Sequence, residues 1–554
     1  MGDKVRVTGT VAEFGTAPNT ITQLSSVSNV TVISTGNPLP TPATVTLPVT
    51  NINDLERFEG MRVTFPQTLT VTENFNLARF GELQLSADGR RFQPTEFIDP
   101  NDNPRSGTNF TGNSNVAAVT AQQDLNNRRA IILDDGLSGQ NVATVPFLNS
   151  QNTRRVGDTV TGLTGVLDQR FGTYRVQPTG TVTFTDTNPR PTTPPNVGAA
   201  NLKVGSFNLL NYFTTLNDGT NKTGPNNNLD PRGANNITEF NRQRDKTATT
   251  ISQLNADILG LIELENNGTT AIADLVNAVN TKLGGNVYTF ITDPAGYTTV
   301  AGGDDAIKVG FIYKPSVVTP IGASLTTNDP SFFQSGRAPV AQTFQVNSNG
   351  AVFTPIINHF KSKGGTGTGV NADQGDGQGQ FNFQRRQQAQ AVVNFINNVV
   401  IPTSGDPDVL VLGDLNAYGE EDPVDLFRAN GFVDLIDLFD GDNISYSFVF
   451  QGQSGRLDHA LATSSLQSQV TGAKEWAINA DEPRFLDYNL EFKNGAGGNT
   501  PDFFNSDNPF RTSDHDPVLV GLNLAGPTSS NTVTVRTLGA GSQVTGSNNS
   551  EQIV

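Results

Sequence analysis

Arg511-Thr512-Ser513-Asp514-His515-Asp516-Pro517-Val518-Leu519-Val520 carries an Asp–His pair straight into an apolar run that reads as a buried strand. Such a junction sets a carboxylate and an imidazole at the mouth of a sheet, where loops carry function. The chain has three histidines, at 359, 459 and 515, each in a strand-like run beside polar residues. That economy points to imidazoles that are placed rather than scattered. Alone, Ser-Asp-His-Asp-Pro also reads as a polar turn, so its weight comes from partners upstream.

Composition narrows the possibilities. A length of 554 residues corresponds to two to four domains, each able to bury a core. Charged residues are 16% of the chain and Gly, Asn, Thr and Pro are plentiful, a loop-rich and β-rich profile. The net charge of -17 gives no general attraction for nucleic acid, so a polyanion has to be held by a local basic groove or by metal. The absence of cysteine excludes disulfides and thiolate metal sites. No apolar run reaches the length of a membrane span. Met1-Gly2-Asp3-Lys4 lacks the pattern of a signal peptide. Export, which the Asn/Thr/Gly-rich composition favours, would then rest on a signal outside this chain.

Working outward, residues 1–187 read as a β-rich region. Val5 to Val11 alternates apolar and polar, as do Thr20 to Leu24 and Val30 to Ser34. The run from Gly157-Asp158 to Gly165-Val166 echoes the opening Gly2-Asp3 to Thr10-Val11. Two copies of this strand entry lead us to expect two small barrels of the oligonucleotide-binding (OB) type, with plain sandwich strands as the alternative. Residues 97–127, polar and Asn/Gly-rich, read as a long loop. Residues 188–196, with prolines at 189, 191, 194 and 195, read as a stiff spacer between domains.

After the prolines the grammar changes to strands alternating with helices over 197–525, which means an α/β domain with mixed sheets. Expected strands are Leu202 to Asn208, Ile258 to Glu263, Lys308 to Tyr313, Val352 to Phe360, Val409 to Leu412, Leu457 to Ala462 and Val518 to Leu524. Helices are expected over Glu239 to Leu254, with a basic face, and from about Asn382 to Val399. Residues 526–554 read as a flexible tail or the stub of a further module.

The ends of these strands are polar: Asn208, Glu263, His359, Asp414 with Asn416, Asp458, and Asp514-His515. Each has a bland alternative as a turn or a cap. Burying so many unpaired carboxylates and amides in one domain would be costly unless they converge on a cation and an anionic substrate.

This set, as Asn208, Glu263, Gly-Asp414-Leu-Asn416, Arg-Leu-Asp458 and Ser-Asp514-His515, resembles the pattern of the endonuclease/exonuclease/phosphatase superfamily. The runs Asn358-His359-Phe-Lys361-Ser-Lys363, Gly379-Gln-Phe-Asn382-Phe-Gln-Arg385 and Tyr446-Ser-Phe448 through Arg456-Leu-Asp458-His resemble bacterial extracellular nucleases of the ExeM type. The resemblance spans about residues 2–524. It implies a four-layer α/β sandwich of two packed mixed sheets, preceded by the OB-like region, and a secreted, divalent-metal-dependent nuclease acting on DNA, with RNA as a further candidate substrate and the preference between them left open. Mg²⁺ is the expected ion, with Mn²⁺ or Ca²⁺ as alternatives. Glu263 would hold it, with Asn208 and Asp514 assisting. His359, Asp414, Asn416, Asp458 and His515 would form the catalytic group, with either His515 or Asp414 as the acceptor of the water's proton. Arg244, Lys361, Lys363 and Arg385, together with Arg242, would bind substrate phosphate. Leu210 stands where some superfamily nucleases carry an acid, so a second metal position is not expected there. Two other readings compete: a phosphodiesterase or phosphatase of the same fold acting on phospholipid or small phosphate esters, and a non-catalytic β-rich surface adhesin. Oligomeric state is left open. Every candidate catalytic group follows the prolines, so the β-rich region is expected to serve capture or stability rather than chemistry.

Overall fold

The structure, a computed structural model, describes residues 2–16, 19–100, 114–333, 336–441 and 444–526. Two six-stranded sheets dominate it. The first runs, in spatial order, Thr289–Phe290, Ile307–Tyr313, Ile258–Glu265, Leu202–Tyr212, Val518–Leu522 and Val470–Glu475. The second runs Val318–Leu325, Arg337–Val346, Val352–His359, Val409–Asp414, Asp458–Thr463 and Phe432–Asp434. Central strands such as Ile258–Glu265 read as near-continuous apolar runs because both of their faces are covered.

Between the sheets lies one apolar layer that includes Val204, Ile262, Phe311, Phe344, Ile357, Leu412, Ala460 and Val520. Each of these side chains except Ala460 contributes about 1.5–3 kcal/mol by leaving water. The sheets approach closely at Gly260, where an added Cβ would stand 2.5 Å from Ile357 Cδ1. Helices Ile237–Leu254 and Thr270–Leu283 cover the outer face of the first sheet, and Asn382–Phe395 and Asp422–Ala429 that of the second. The layers therefore run helices, sheet, sheet, helices.

The N-terminal region differs from expectation. Instead of two barrels, the described residues form one, closed in the order Arg62–Glu73, Glu82–Ser86, Ala130–Asp134, Thr173–Pro178, Thr159–Arg170 and back to Arg62–Glu73. The pair Ala130–Asp134 and Thr173–Pro178 is parallel and the other four pairings are antiparallel. Among the described residues the opening strands pair only among themselves, Lys4–Val7 with Val30–Ser34 and Thr10–Thr16 with Asn19–Ser25. A repeated strand entry sets local conformation, whereas partners are chosen by long-range burial, and these opening strands are largely exposed.

Two further expectations are corrected. The loop expected at 97–127 contains a helix, Val116–Arg128, where Ala and Gln favour helix and outweigh the scattered Asn; residues 101–113 lie outside the described residues, as does 527–554 of the expected tail. The proline stretch is docked rather than a free spacer. Asn188 Nδ2 donates to Asp481 Oδ2 at 2.7 Å, and Arg190 pairs with Glu482 Oε2 at 2.7 Å.

Candidate active site

Strand direction gathers the polar ends. Leu202–Tyr212 and Ile258–Glu265 are parallel neighbours, so Asn208 and Glu263 finish at the same edge. Val352–His359 and Val409–Asp414 are likewise parallel, with His359 opposite Asp414. Asp458–Thr463 and Val518–Leu522 run the other way, so their beginnings come to that edge; Asp458 faces Asp414 directly. Register pairs share a face of a sheet, so Arg337, His359, Asp414 and Asp458 form one row across the second sheet.

Local backbone is bent to suit. The pairing of Ile258–Glu265 slips between Leu261 and Leu264, and Glu263 takes φ 63°. A left-handed glutamate costs energy and persists where the surroundings over-determine it. Leu210 and Asn211 are left-handed too, and this turn lets Asn211 N donate to Glu263 Oε2 at 2.9 Å and Leu210 N donate to Asn208 Oδ1 at 3.0 Å. Gly413 has φ 124°, and an added Cβ would stand 2.2 Å from the Asn358 carbonyl oxygen. Only glycine fits before Asp414.

Asp458 and His515 form a dyad. His515 Nδ1 lies 2.7 Å from Asp458 Oδ2, which also accepts from Ser447 Oγ at 2.7 Å. The Phe448 ring stacks on the imidazole, 4.6 Å between centroids. The loop before it is wound round Asn479, whose Oδ1 accepts from Thr512 N at 2.8 Å and whose Nδ2 donates to the His515 carbonyl at 2.6 Å. Asp516 is structural, accepting from the backbone N–H groups of Ile478, Asn479 and Ala480. Across the cleft, His359 Nε2 is 3.5 Å from Asp414 Oδ2 and 4.0 Å from Glu263 Oε1. Asp414 Oδ1 accepts from Asn416 N at 2.8 Å, and Asn416 Nδ2 donates to the Phe360 carbonyl at 3.2 Å.

The charges split the two imidazoles. Burial works against protonation of His515, but Asp458, Asp414 and Asp514 outweigh it and hold its pKa well above the usual histidine value. Burial also opposes protonation of His359, here reinforced by Arg337, and its pKa is pushed well below. Burial raises the pKa of Glu263, as does the neighbouring Asp514, against the pull of Arg337, His515 and the Asn208 amide. Asp414 is raised by burial, and the nearby His515 charge opposes that rise.

The structure thus brings Asn208, Glu263, His359, Asp414, Asn416, Asp458, Asp514 and His515 to one end of the sandwich. The five cations expected to bind phosphate are engaged elsewhere. Arg385 is fully buried and donates to the carbonyls of Gln380 at 2.8 Å and Gln378 at 3.0 Å. Lys363 pairs with Glu421 at 2.5 Å, and Lys361 Nζ donates to the Ser362 and Gly364 carbonyls, both at 3.0 Å. Arg244 turns to Asp245 and the Phe240 ring, and Arg242 to Asp502. Carboxylates and carbonyls close at hand pair with these cations and draw them away from an open groove.

Arg337 was not anticipated. It is buried beside Asp305, 3.3 Å from Nε to Oδ2, and its charge reaches Glu263 and Asp414. Its strand reads Arg-Ala-Pro-Val-Ala-Gln-Thr-Phe, where Pro339 hides the alternation; a lone arginine opening such a run was the available signal. Ser447 and Phe448 were noted only as part of a motif.

Glu263, Asp514 and Asn208 offer two carboxylates and an amide. Among the described residues these oxygens do not form a ready-made cage of three or more acidic or histidine ligands. Their fit is with a hard divalent cation that takes one or two carboxylates and completes its shell with water and phosphate oxygens.

Comparison with known proteins bears on both regions. Residues 205–515 match the model of the Endonuclease/Exonuclease/phosphatase family, and residues 16–187 match a domain of unknown function (DUF8508). No curated protein matches the chain. Similar solved structures include an endonuclease/exonuclease/phosphatase from Bacteroides vulgatus, at 17% identity and TM-score 0.36, covering 58% of this chain and 98% of that one. A mannosyl-6-phosphatase of Bacteroides thetaiotaomicron aligns at 15% identity and TM-score 0.35, covering 58% and 99%. The human Nocturnin catalytic domain, with bound sulfate, aligns at 14% identity and TM-score 0.35, covering 59% and 97%.

Proposed function

The chain belongs to the endonuclease/exonuclease/phosphatase family, and on that premise we propose that it is a metal-dependent nuclease hydrolysing phosphodiester bonds of DNA, with RNA as a further candidate substrate. Members of the family are hydrolases of phosphodiesters and phosphate esters and generally use divalent metals. The observation that carries the reading is the Asp458–His515 dyad set opposite Glu263, His359 and Asp414 at the common end of two sheets.

In this reading Glu263, Asn208 and Asp514 hold Mg²⁺, which when bound would stabilise negative charge on the phosphoryl and leaving oxygens. Asp458 fixes the ring of His515 through Nδ1 and leaves Nε2 for the substrate. The imidazolium that Asp458, Asp414 and Asp514 favour suits it to hold a phosphate oxygen. Asp414, its pKa raised, then serves as the acceptor of the attacking water's proton, with Asn416 orienting that water. Neutral His359 and buried Arg337 face the same phosphate from the other side. The barrel is read as OB-type, which its closed strand order and one parallel pair support. We also propose action outside the cell, in keeping with the cysteine-free composition; among the described residues no helix is long and apolar enough to cross a membrane.

A zymogram on DNA and RNA, with a soluble phosphodiester dye assayed alongside and chelator added to half of each set, tests the proposal. Metal-dependent clearing of nucleic acid is expected. Hydrolysis confined to a phospholipid or a sugar phosphate would replace the nuclease reading with another activity of the family.

A further inference from the structure

Between the barrel and the sandwich lies a groove of about 570 Å³ whose lining, apart from Phe448 and Asp514, the reaction described above leaves unused. Phe75 of the barrel lines it together with Phe448 and Phe450 of the Phe448–Gly455 hairpin, and it runs on to Asp514. Phe75 and Phe450 are 51% and 53% exposed, a large apolar surface to leave in water. Phe75 is nevertheless rigidly presented. Its N–H and that of Asn74 both donate to Glu73 Oε1 at 3.0 Å, and Glu73 Oε2 accepts from Gly452 N of the hairpin at 3.0 Å. Asn74 Nδ2 donates to the carbonyls of Arg154 at 3.0 Å and Asp481 at 2.8 Å, tying the loop to both parts of the molecule. Cations flank the aromatics. The Arg484 guanidinium, half exposed, is 5.1 Å from the Phe75 ring centroid, and Arg511 shares the lining.

We infer that this groove binds an unpaired nucleobase of the substrate strand, so that the preferred substrate is single-stranded nucleic acid. The inference rests on the nuclease reading and adds the substrate class to it. In a duplex both faces of a base are covered by its stacked neighbours, so exposed protein rings can be used only by a base that has left the stack. Aromatic faces interleaved with cations are the general means of holding single strands. Arg484 and Arg511 share the lining with Glu73, Glu82, Glu482 and Asp514, so the groove is not positive overall and the base is held by stacking on Phe75 and Phe450 rather than by net charge. A strand lying in the groove would bring its backbone to Asp514.

The test is equilibrium binding by the full chain in excess EDTA, where cleavage does not intervene. The probe is a short single-stranded oligonucleotide containing 2-aminopurine, alone or annealed to its complement. The single strand should bind with quenched 2-aminopurine emission, and the duplex on the order of tenfold more weakly. Phe75→Ala and Phe450→Ala should each weaken single-strand binding by roughly ten- to a hundredfold, as lost base stacking does. Phe75→Trp should bind at least as well as the unaltered protein. Phe171→Ala, which removes a 92% exposed ring outside the groove, serves as the control and should bind unchanged. Equal binding of duplex and single strand, or undiminished binding by both folded alanine variants, overturns the assignment. If the unaltered protein still cleaves DNA in that case, only the groove assignment falls; if it hydrolyses small esters alone, the nuclease reading falls with it.

Discussion

His459 Nε2 is 2.8 Å from the Ala417 carbonyl oxygen, and Asp434 lies 3.6 Å from its Nδ1, in a wholly buried setting. Its strand neighbour Asp458 points the opposite way, to His515. His459→Gln should therefore cost about 1–3 kcal/mol of stability, as a disturbed buried polar group does, while the folded enzyme turns over as before. His515→Ala and His359→Ala should each slow cleavage by roughly a hundredfold or more, the range of a lost acid–base or phosphate-binding group. Denaturant unfolding and kinetics on the three purified variants check this; a folded His459→Gln as slow as His515→Ala would reverse the face assignments. This division was legible in the sequence because side chains on a strand alternate with period two, and Ala460 and Ala462 on the Asp458 side mark the inter-sheet face. Arg337 was not legible. Its worth depends on Asp305, His359 and Glu263, partners that only the fold brings near.

At the scale of elements, helix Ile237–Leu254 shows how a basic face can be absorbed by structure. Arg242 holds Asp502 through both Nη1, at 2.6 Å, and Nη2, at 2.9 Å, which clasps the segment before the Asp514 loop onto the helix. Burial alone would raise the Asp502 pKa, but the Arg242 hydrogen bonds and Lys493 outweigh it and hold the group at about 2, against 3.8 when unperturbed. The folded-state value is the lower one, so the clasp's contribution is complete above the unfolded pKa and is lost as pH falls from about 4 through 2. Melting temperatures of the unaltered protein and Asp502→Asn should thus differ at pH 6 and converge near pH 2; a gap that persists at pH 2 would show that Asp502 acts otherwise. The sheets were readable because their central strands are apolar runs ending in polar residues. Strands Val318–Leu325, Val470–Glu475 and Phe432–Asp434 were not, being short or mixed in polarity, although each sends side chains such as Val318, Ala473 and Phe432 into the cores; nor was Arg337–Val346, where Pro339 breaks the pattern. The helix Val116–Arg128 was masked by the Asn-rich residues before it.

For the whole molecule, the barrel and the sandwich share buried charge. Asp481 and Glu482 are fully buried and take their cations from the N-terminal side: Arg90 at 2.8 Å and Arg155 at 3.2 Å for Asp481, Arg155 and Arg190 for Glu482. Glu96 accepts from Arg456 N at 2.7 Å, two residues before Asp458, and burial raises its pKa to about 8. The expectation that the β-rich region serves stability acquires a stronger form here. Leaving one partner of a buried ion pair uncompensated costs about 3–5 kcal/mol. Arg155→Ala should lower stability by less than that, because Arg90 still pairs with Asp481 and Arg190 with Glu482, and a fragment of residues 197–525, which loses all three arginines, should fail to fold cooperatively. Circular dichroism with urea unfolding tests both; a fragment melting like the full chain would show that the interface is dispensable. None of these contacts could be read from spacing, since each joins residues some 300 or more apart in the chain.

The chemistry is best tested on the full chain by single-turnover cleavage of a labelled oligonucleotide over a Mg²⁺ titration, comparing the unaltered protein with Glu263→Gln. Glu263 ends a buried strand in a left-handed conformation, beside Asp514 and 4.0 Å from His359, with its carboxylate turned to the cleft. Cleavage by the unaltered protein should rise from zero in EDTA to a plateau with metal. Glu263→Gln should need more metal and remain on the order of a thousandfold slower at saturation, a loss of about 4 kcal/mol of transition-state stabilisation. Undiminished cleavage in excess EDTA, or a folded Glu263→Gln variant with the rate of the unaltered protein, would contradict the account.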